Sequence, residues 1–203
     1  MIDVVIDISH FQGSPDFGTV ASSGIVGVIH KATQGTGSTD ATYASAKTSA
    51  LAAGLLWGAY HFGTGASSGA DQADYFLNVV KPQPHDLIAV DFEPNPSGTS
   101  MDLAQLLDFI ETVQKSLNRW PVVYGGNSLL FGAVGKTPNA TLAACPLWVA
   151  EYTSALQPIG IPTQIWPKWT LWQYTESGNI PGITTKVDRD RFNGTEAELR
   201  AWW

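Results

Sequence analysis

Eight short apolar, β-branched runs punctuate this chain, at residues 4–8, 25–29, 55–60, 87–92, 121–124, 147–150, 171–174 and, weakly, 186–188. Continuous apolar runs of this length mark strands buried on both faces, the condition of a parallel sheet covered by helices. Helical character fills the gaps between the early runs. Residues 42–53 are rich in Ala, and residues 67–79 put Ala73, Phe76 and Leu77 on one side. Residues 100–117 carry Leu103, Leu106, Leu107, Ile110 and Val113 at helical spacing, with Ser100 as the candidate cap. Strand alternating with helix predicts parallel β-α units. Eight such strands suggest a barrel, but a complete eightfold one typically needs about 250 residues and this chain has 203. The gaps also shorten toward the C-terminus. The expected fold is therefore α/β: one domain over residues 1–203, a single TIM-like β/α barrel with eight strands and an incomplete ring of helices. Its last strands are joined by loops or pair antiparallel.

Composition narrows the partners. The chain is 44% hydrophobic and 14% charged, enough for a sizeable core. A net charge of −7, with Lys and Arg scattered, argues against binding nucleic acid or an anionic membrane. No apolar stretch approaches the ~20 residues of a membrane span. Cys145 is the one cysteine, so no intrachain disulfide forms, and a small buried hydrophobe is its commoner role. Met1-Ile2-Asp3-Val4-Val5 lacks a basic n-region and a useful apolar run, so no signal peptide is expected in these residues. Asn139-Ala140-Thr141 and Asn193-Gly194-Thr195 are glycosylation acceptor triplets of a kind that chance often produces. The default oligomeric state is a monomer.

In parallel β/α barrels the chemistry sits at the C-terminal ends of the strands. Acids stand at or just after four of these ends: Asp7, the pair Asp91 and Glu93, Glu151, and Asp188. Asp91 and Glu93 are the sharpest pair. Residues i and i+2 of a strand share a face, with Cα atoms roughly 6.6 Å apart. Two carboxylates forced together repel, so one holds its proton more tightly. An acid and a carboxylate side by side near neutral pH are what glycosidic cleavage uses. On spacing alone a strand end with two solvated acids is an equal alternative. His10, His30, His61 and His85 are isolated, with no zinc-binding helix pattern, so no metal is expected and each reads as structural. His61, after Tyr60 at a strand end, is the histidine placed to touch a substrate. No Gly-x-Ser-x-Gly elbow exists, and Gly63-Thr64-Gly65-Ala66-Ser67-Ser68-Gly69 lacks the Lys of a phosphate loop.

Taken together, the motifs have a known arrangement. They are Ile6-Asp7-Ile8-Ser9 with Gln12-Gly13, Lys31-Ala32-Thr33-Gln34-Gly35, Gly58-Ala59-Tyr60-His61-Phe62, Asp91-Phe92-Glu93, Trp120-Pro121-Val122-Val123-Tyr124, Pro146-Leu147-Trp148-Val149-Ala150, Trp172-Gln173-Tyr174 and Val187-Asp188-Arg189-Asp190-Arg191-Phe192. In this order and spacing the chain resembles the family 25 glycoside hydrolases, the Chalaropsis-type lysozymes, nearly end to end. The resemblance implies a muramidase that hydrolyses the β-1,4 bond between N-acetylmuramic acid and N-acetylglucosamine in bacterial peptidoglycan with retention. It implies action outside the cell or at the wall, and no cofactor. It also implies four carboxylates, Asp7, Asp91, Glu93 and Asp188. Glu93 is then the general acid/base, and Asp91 stabilises a charge developed with help from the substrate's N-acetyl group or by a direct nucleophile. Asp7 and Asp188 shape the electrostatics, while Tyr60, Tyr124, Trp148, Tyr152 and Gln173 line the sugar groove. Two departures stand out. Gln34 occupies a position where Glu is frequent, and Asp190 competes with Asp188 as the last acid. Asp188 is preferred because it directly follows the strand residue Val187. Other classes compatible with the residues are a wall-binding module without catalysis, a chitin-type glycosidase and a metal-dependent deacetylase. The chitinase acid pattern is broken by Ala89.

Overall fold

The computed structural model describes residues 1–126, 129, 130, 132, 134 and 137–203. The strands are β1 (Ile2–Ile8), β2 (Gly27–Gln34), β3 (Ser38–Thr39), β4 (Leu56–Phe62), β5 (Leu87–Asp91), β6 (Val122–Gly126), β7 (Leu147–Ala150), β8 (Leu171–Gly178) and β9 (Val187–Phe192). The helices are α1 (Phe17–Ser22), α2 (Tyr43–Ala52), α3 (Gly69–Val80), α4 (Leu103–Leu117), α5 (Ala140–Ala144) and α6 (Glu196–Trp202). Sheet order is β1-β9-β8-β7-β6-β5-β4-β2-β3, and an added β1–β2 pairing closes eight strands into a barrel. β3 is a two-residue appendage to β2 outside that ring.

Closure uses both strand directions. Neighbours from β1 through β2 and β4 to β8 run parallel. β9 is antiparallel to both β8 and β1. A parallel crossover needs a dozen or more residues, whereas an antiparallel return needs only a short turn. The short gap before the last strand therefore selects the hairpin. The helical ring is incomplete where the sequence predicts: no helix lies between β7 and β8 among the described residues. The weak run at 186–188 proves to be the start of a six-residue strand. α1 was not anticipated, being one short turn and a half capped by Asp16.

One expected cap moves. α4 begins at Leu103, and its N-cap is Asp102, not Ser100. Asp102 accepts from the Gln105 amide at 2.8 Å, and Gln105 Oε1 accepts from the Asp102 amide at 2.9 Å. This reciprocal box satisfies two otherwise orphaned donors. Ser100 is already committed, its hydroxyl accepting from Asn95 N and its backbone bridging to Thr64.

Strand alternation divides the apolar residues into two layers. Ile6, Ile8, Val28, Trp57, Ala59, Ile88, Val90 and Phe92 face outward and meet Phe76, Leu106, Phe109, Ile110 and Val113 of the helices. Val5, Ile29, Leu87, Ala89, Val122, Leu171 and Phe192 face inward and fill the barrel's lower half. Trp203 completes that floor. Its indole nitrogen donates to Trp57 O at 2.8 Å, and a Cβ on Gly27 would come within 2.7 Å of its ring. The apolar floor leaves the mouth of the barrel as the open end.

Truncating the floor should cost as much as a large core cavity. Trp203→Ala is expected to destabilise the fold by about 3–5 kcal/mol, read as a lower midpoint in urea. An unchanged midpoint would show that the ring adds nothing to the core.

Candidate active site

Inward-facing positions change from apolar to polar on approaching the mouth. On β5 the inward series is Leu87, Ala89, Asp91, and Glu93 continues it just past the strand end. On β1, Val5 is followed by Asp7. On β8, Leu171 is followed by Gln173, and on β9 Asp188 and Asp190 lie above Phe192. The result is one cavity of about 200 Å³ lined by Asp7, Tyr60, Asp91, Glu93, Tyr124, Trp148, Tyr152, Gln173, Glu176 and Asp188. All four expected acids are in it, as are five of the six expected groove residues.

The sixth, His61, is elsewhere. It is fully buried, with Nδ1 2.7 Å from Thr33 Oγ1 and Nε2 3.1 Å from Gln72 Oε1. Its ring stacks on Phe109 of α4 at 5.0 Å between centroids. Burial lowers its pKa to about 4, so the ring is neutral at ordinary pH. The physical reason is alternation: Tyr60 points inward, so its neighbour points to the helices. The sequence motif already contained that information.

A hydrogen-bonded lattice orients the acids. Gln173 Nε2 donates to Asp7 Oδ2 at 2.8 Å, while Gln173 Oε1 accepts from Tyr124 at 3.0 Å and Tyr152 at 2.8 Å. Beneath them, Trp148 Nε1 donates to Asp190 Oδ1 at 2.6 Å. Tyr124 packs edge-on against the Trp148 ring at 4.6 Å. Asp190 is fully buried one layer below the cavity, and its Oδ2 has no hydrogen-bond partner among the described residues. Asp188, not Asp190, faces the open space. Asp91 is 5% exposed, and its Oδ1 likewise has no protein partner. Glu93 is more open to the groove.

Burial of so many carboxyls makes the cluster retain protons. Desolvation raises Asp7 well above the usual carboxylate range, helped by Asp190 and Asp188. Asp91 is raised well above it by desolvation and by Glu93, against the pull of Lys31. Desolvation raises Glu93 too; Lys31 opposes it and Asp188 adds to it. Asp188 rises to about 6 and Asp190 to about 8, both chiefly through desolvation. The same burial keeps the Tyr60 and Tyr124 phenols neutral. Asp91 and Glu93 compete for protons in one small space, so they titrate as a pair rather than as two independent acids.

Two participants were not singled out from sequence, and a third stood there only as an alternative. Lys31 lies on the inward series of β2 after Ile29, and its ammonium donates to Gln34 Oε1 at 2.8 Å. Alternation from Ile29 would have shown that it points into the barrel. Glu176 lines the rim, beyond the expected strand end at 174. Asp190 appears in sequence only as an alternative to Asp188, and the barrel uses both at different depths. Glu151, an acid expected at a mouth, lines the cleft shared by Glu93 and Tyr152, and its carboxylate accepts from the amides of Ile159 and Gly160. Among the described residues no group of His, Cys, Asp and Glu could hold a metal ion. No helix among them is long and apolar enough to cross a membrane.

The raised acids set a pH dependence of stability. Between the ordinary value of 3.8 and folded values of about 6 and about 8, Asp188 and Asp190 are protonated when folded and ionised when unfolded. The folded chain then binds more protons, and stability falls as pH rises through that window. The urea midpoint should be higher at about pH 5 than at about pH 8. Asp190→Asn, which keeps an acceptor for Trp148, should flatten the upper part of that slope. Stability that increases across the window contradicts the assignment.

Comparison with known proteins agrees with this architecture. A profile of the glycosyl hydrolases family 25 matches residues 6–183. Lysozyme M1 of Streptomyces globisporus is 36% identical over 210 residues, covering 97% of this chain and 69% of that one. The N,O-diacetylmuramidase of Chalaropsis is 32% identical, covering 90% of this chain and 94% of that one. The crystal structure of a bacterial lysozyme from Streptomyces coelicolor superposes with a TM-score of 0.89 at 33% identity, covering 98% of this chain and 95% of that one. With the barrel, the acid-lined mouth and these matches in hand, the chain belongs to family 25 of the glycosyl hydrolases.

Proposed function

We propose that this enzyme is an N-acetylmuramidase acting as a single catalytic unit over residues 1–203. It cleaves the β-1,4 bond between N-acetylmuramic acid and N-acetylglucosamine in bacterial peptidoglycan, outside the cell or at the wall. The observation that carries the reading is the position of Glu93. It lines the central cavity and also the clefts on either side, of about 550 Å³ toward Tyr152 and about 420 Å³ toward Phe11. A polymer laid along this groove passes Glu93 in mid-strand.

The chemistry follows from the two carboxyls. Glu93 gives its proton to the glycosidic oxygen as the bond to the anomeric carbon breaks. The substrate's own N-acetyl carbonyl oxygen attacks that carbon and closes a positively charged ring. Asp91 supports this ring: its carboxylate, part of the cavity lining, accepts the N-acetyl N–H and balances the new charge. In the empty site burial favours a neutral Asp91; an amide donor and an adjacent positive charge favour its ionised form. Substrate thus moves the shared proton toward Glu93, where it is used. Glu93, now a carboxylate, takes a proton from water, which opens the ring with overall retention. Asp7 and Asp188 maintain the proton affinity of the cluster. Tyr60, Tyr124, Trp148, Tyr152 and Gln173 form the walls that hold the sugar.

Glu93→Gln keeps the shape and removes the transferable proton. The rate of wall clearing should fall by roughly 10² or more, and products from the unaltered enzyme should carry N-acetylmuramic acid at the reducing end by mass spectrometry. Reducing-end N-acetylglucosamine, or near-normal clearing by the variant, would reject the reading.

A further inference from the structure

We infer that Lys31 is a positioning residue for the proton of the Asp91–Glu93 pair. Its ammonium, anchored by a neutral amide, supplies the positive charge that sets the pH range in which Glu93 can both give and take a proton. The inference rests on the muramidase reading and deepens it.

Three observations place the charge. Lys31 projects into the barrel from β2 and lines the cleft that also holds Asp91, Glu93 and Asp188. Its Nζ donates to Gln34 Oε1 at 2.8 Å and stands 4.6 Å from the centre of the Phe62 ring. These two contacts fix the ammonium without neutralising it, since an amide and an aromatic face both stabilise a cation while leaving its charge in place. Among the described residues lining the cavity and its two clefts, Lys31 is the one lysine or arginine. His10, which lines the same cleft, is matched by Asp40 at 2.7 Å.

The other titratable groups that line the central cavity with the pair are acids or neutral phenols. Asp7 comes from β1, Tyr60 from β4, Tyr124 from β6, Tyr152 from beyond β7, Glu176 from β8 and Asp188 from β9. Without Lys31 this ring pushes both members of the pair toward the doubly protonated state, which has an acid but no carboxylate. The ammonium opposes burial at both Asp91 and Glu93. It therefore holds the pair near one proton, the state catalysis needs. Asp40, Asp91 and Glu93 in turn favour the charged form of Lys31 against its own burial.

The sign of the effect is fixed. Removing a nearby positive charge raises the pKa of a carboxyl, by about one unit or more at contact range. Lys31→Met and Gln34→Glu do this by different chemistry. The first deletes the cation, and the second pairs it with a new carboxylate; each takes the local charge from positive to neutral. Both limbs of the kcat/KM profile on peptidoglycan should move to higher pH by about one unit in both variants. The ¹³C carboxyl resonances of Asp91 and Glu93 in the ligand-free protein should titrate higher by a similar amount. Lys31→Arg should keep the original profile. A purely structural role for Lys31 predicts lost activity or a lowered melting temperature with the limbs unmoved, and that outcome overturns the inference. If Lys31→Met does not fold, Gln34→Glu alone decides, because an unshifted titration in that folded variant is equally contradictory. The carboxyl titration needs no turnover. An enzyme that releases no muramic reducing ends would thus defeat the functional reading while leaving the electrostatic one to be judged separately.

Discussion

Taking a carboxylate out of water is costly unless something else meets its charge. The mouth of this barrel does so to Asp7, Asp91 and Asp190, each at 5% exposure or less, with Glu93 and Asp188 beside them. Among the described residues, one ammonium and a small set of neutral donors line the mouth, too few to keep every acid ionised. The cluster resolves the conflict by binding protons. Its chemistry, its expected pH-dependent stability and the importance of Lys31 all descend from that shortage of counter-charge.

The fold creates the shortage by geometry. Inward positions climb each strand from apolar floor to polar mouth, and Trp203 with the residues around it keeps the lower half dry. The antiparallel return of β9 is what brings Asp188 opposite Asp7 in register. A full β-α unit there would have delivered only the top of one more parallel strand. The hairpin instead runs down the wall and sets Asp188 and Asp190 at two depths against Asp7. The lack of a helix between β8 and β9 and the crowded acid site are therefore consequences of the same short connection.

Much of this was legible in the residues. Two-sided apolar runs gave the strands, their spacing gave the barrel, and the shrinking gaps gave its unfinished ring. The Asp91-Phe92-Glu93 alternation placed two acids on one face. What escaped was of two kinds. His61 and Lys31 needed only the alternation rule applied consistently: Tyr60 inward sends His61 outward, and Ile29 inward brings Lys31 in. Asp190 and Gln173 were named from the sequence, but their contacts were not. Their partners, Trp148 and Asp7, lie 42 and 166 residues away in sequence, and no local pattern reports which strands meet across a closed sheet. Ser100 lost its capping role for a similar reason, since its bridge to Thr64 is a long-range contact.

The central claim is that Asp91 and Glu93, ligand-free and near neutrality, hold a proton between them. Neutron diffraction from deuterated crystals grown at about pH 6 locates such a proton directly, where unperturbed carboxyls would be bare. The account predicts nuclear density for a deuteron on one of these two side chains. Two fully ionised carboxylates at that pH would contradict it.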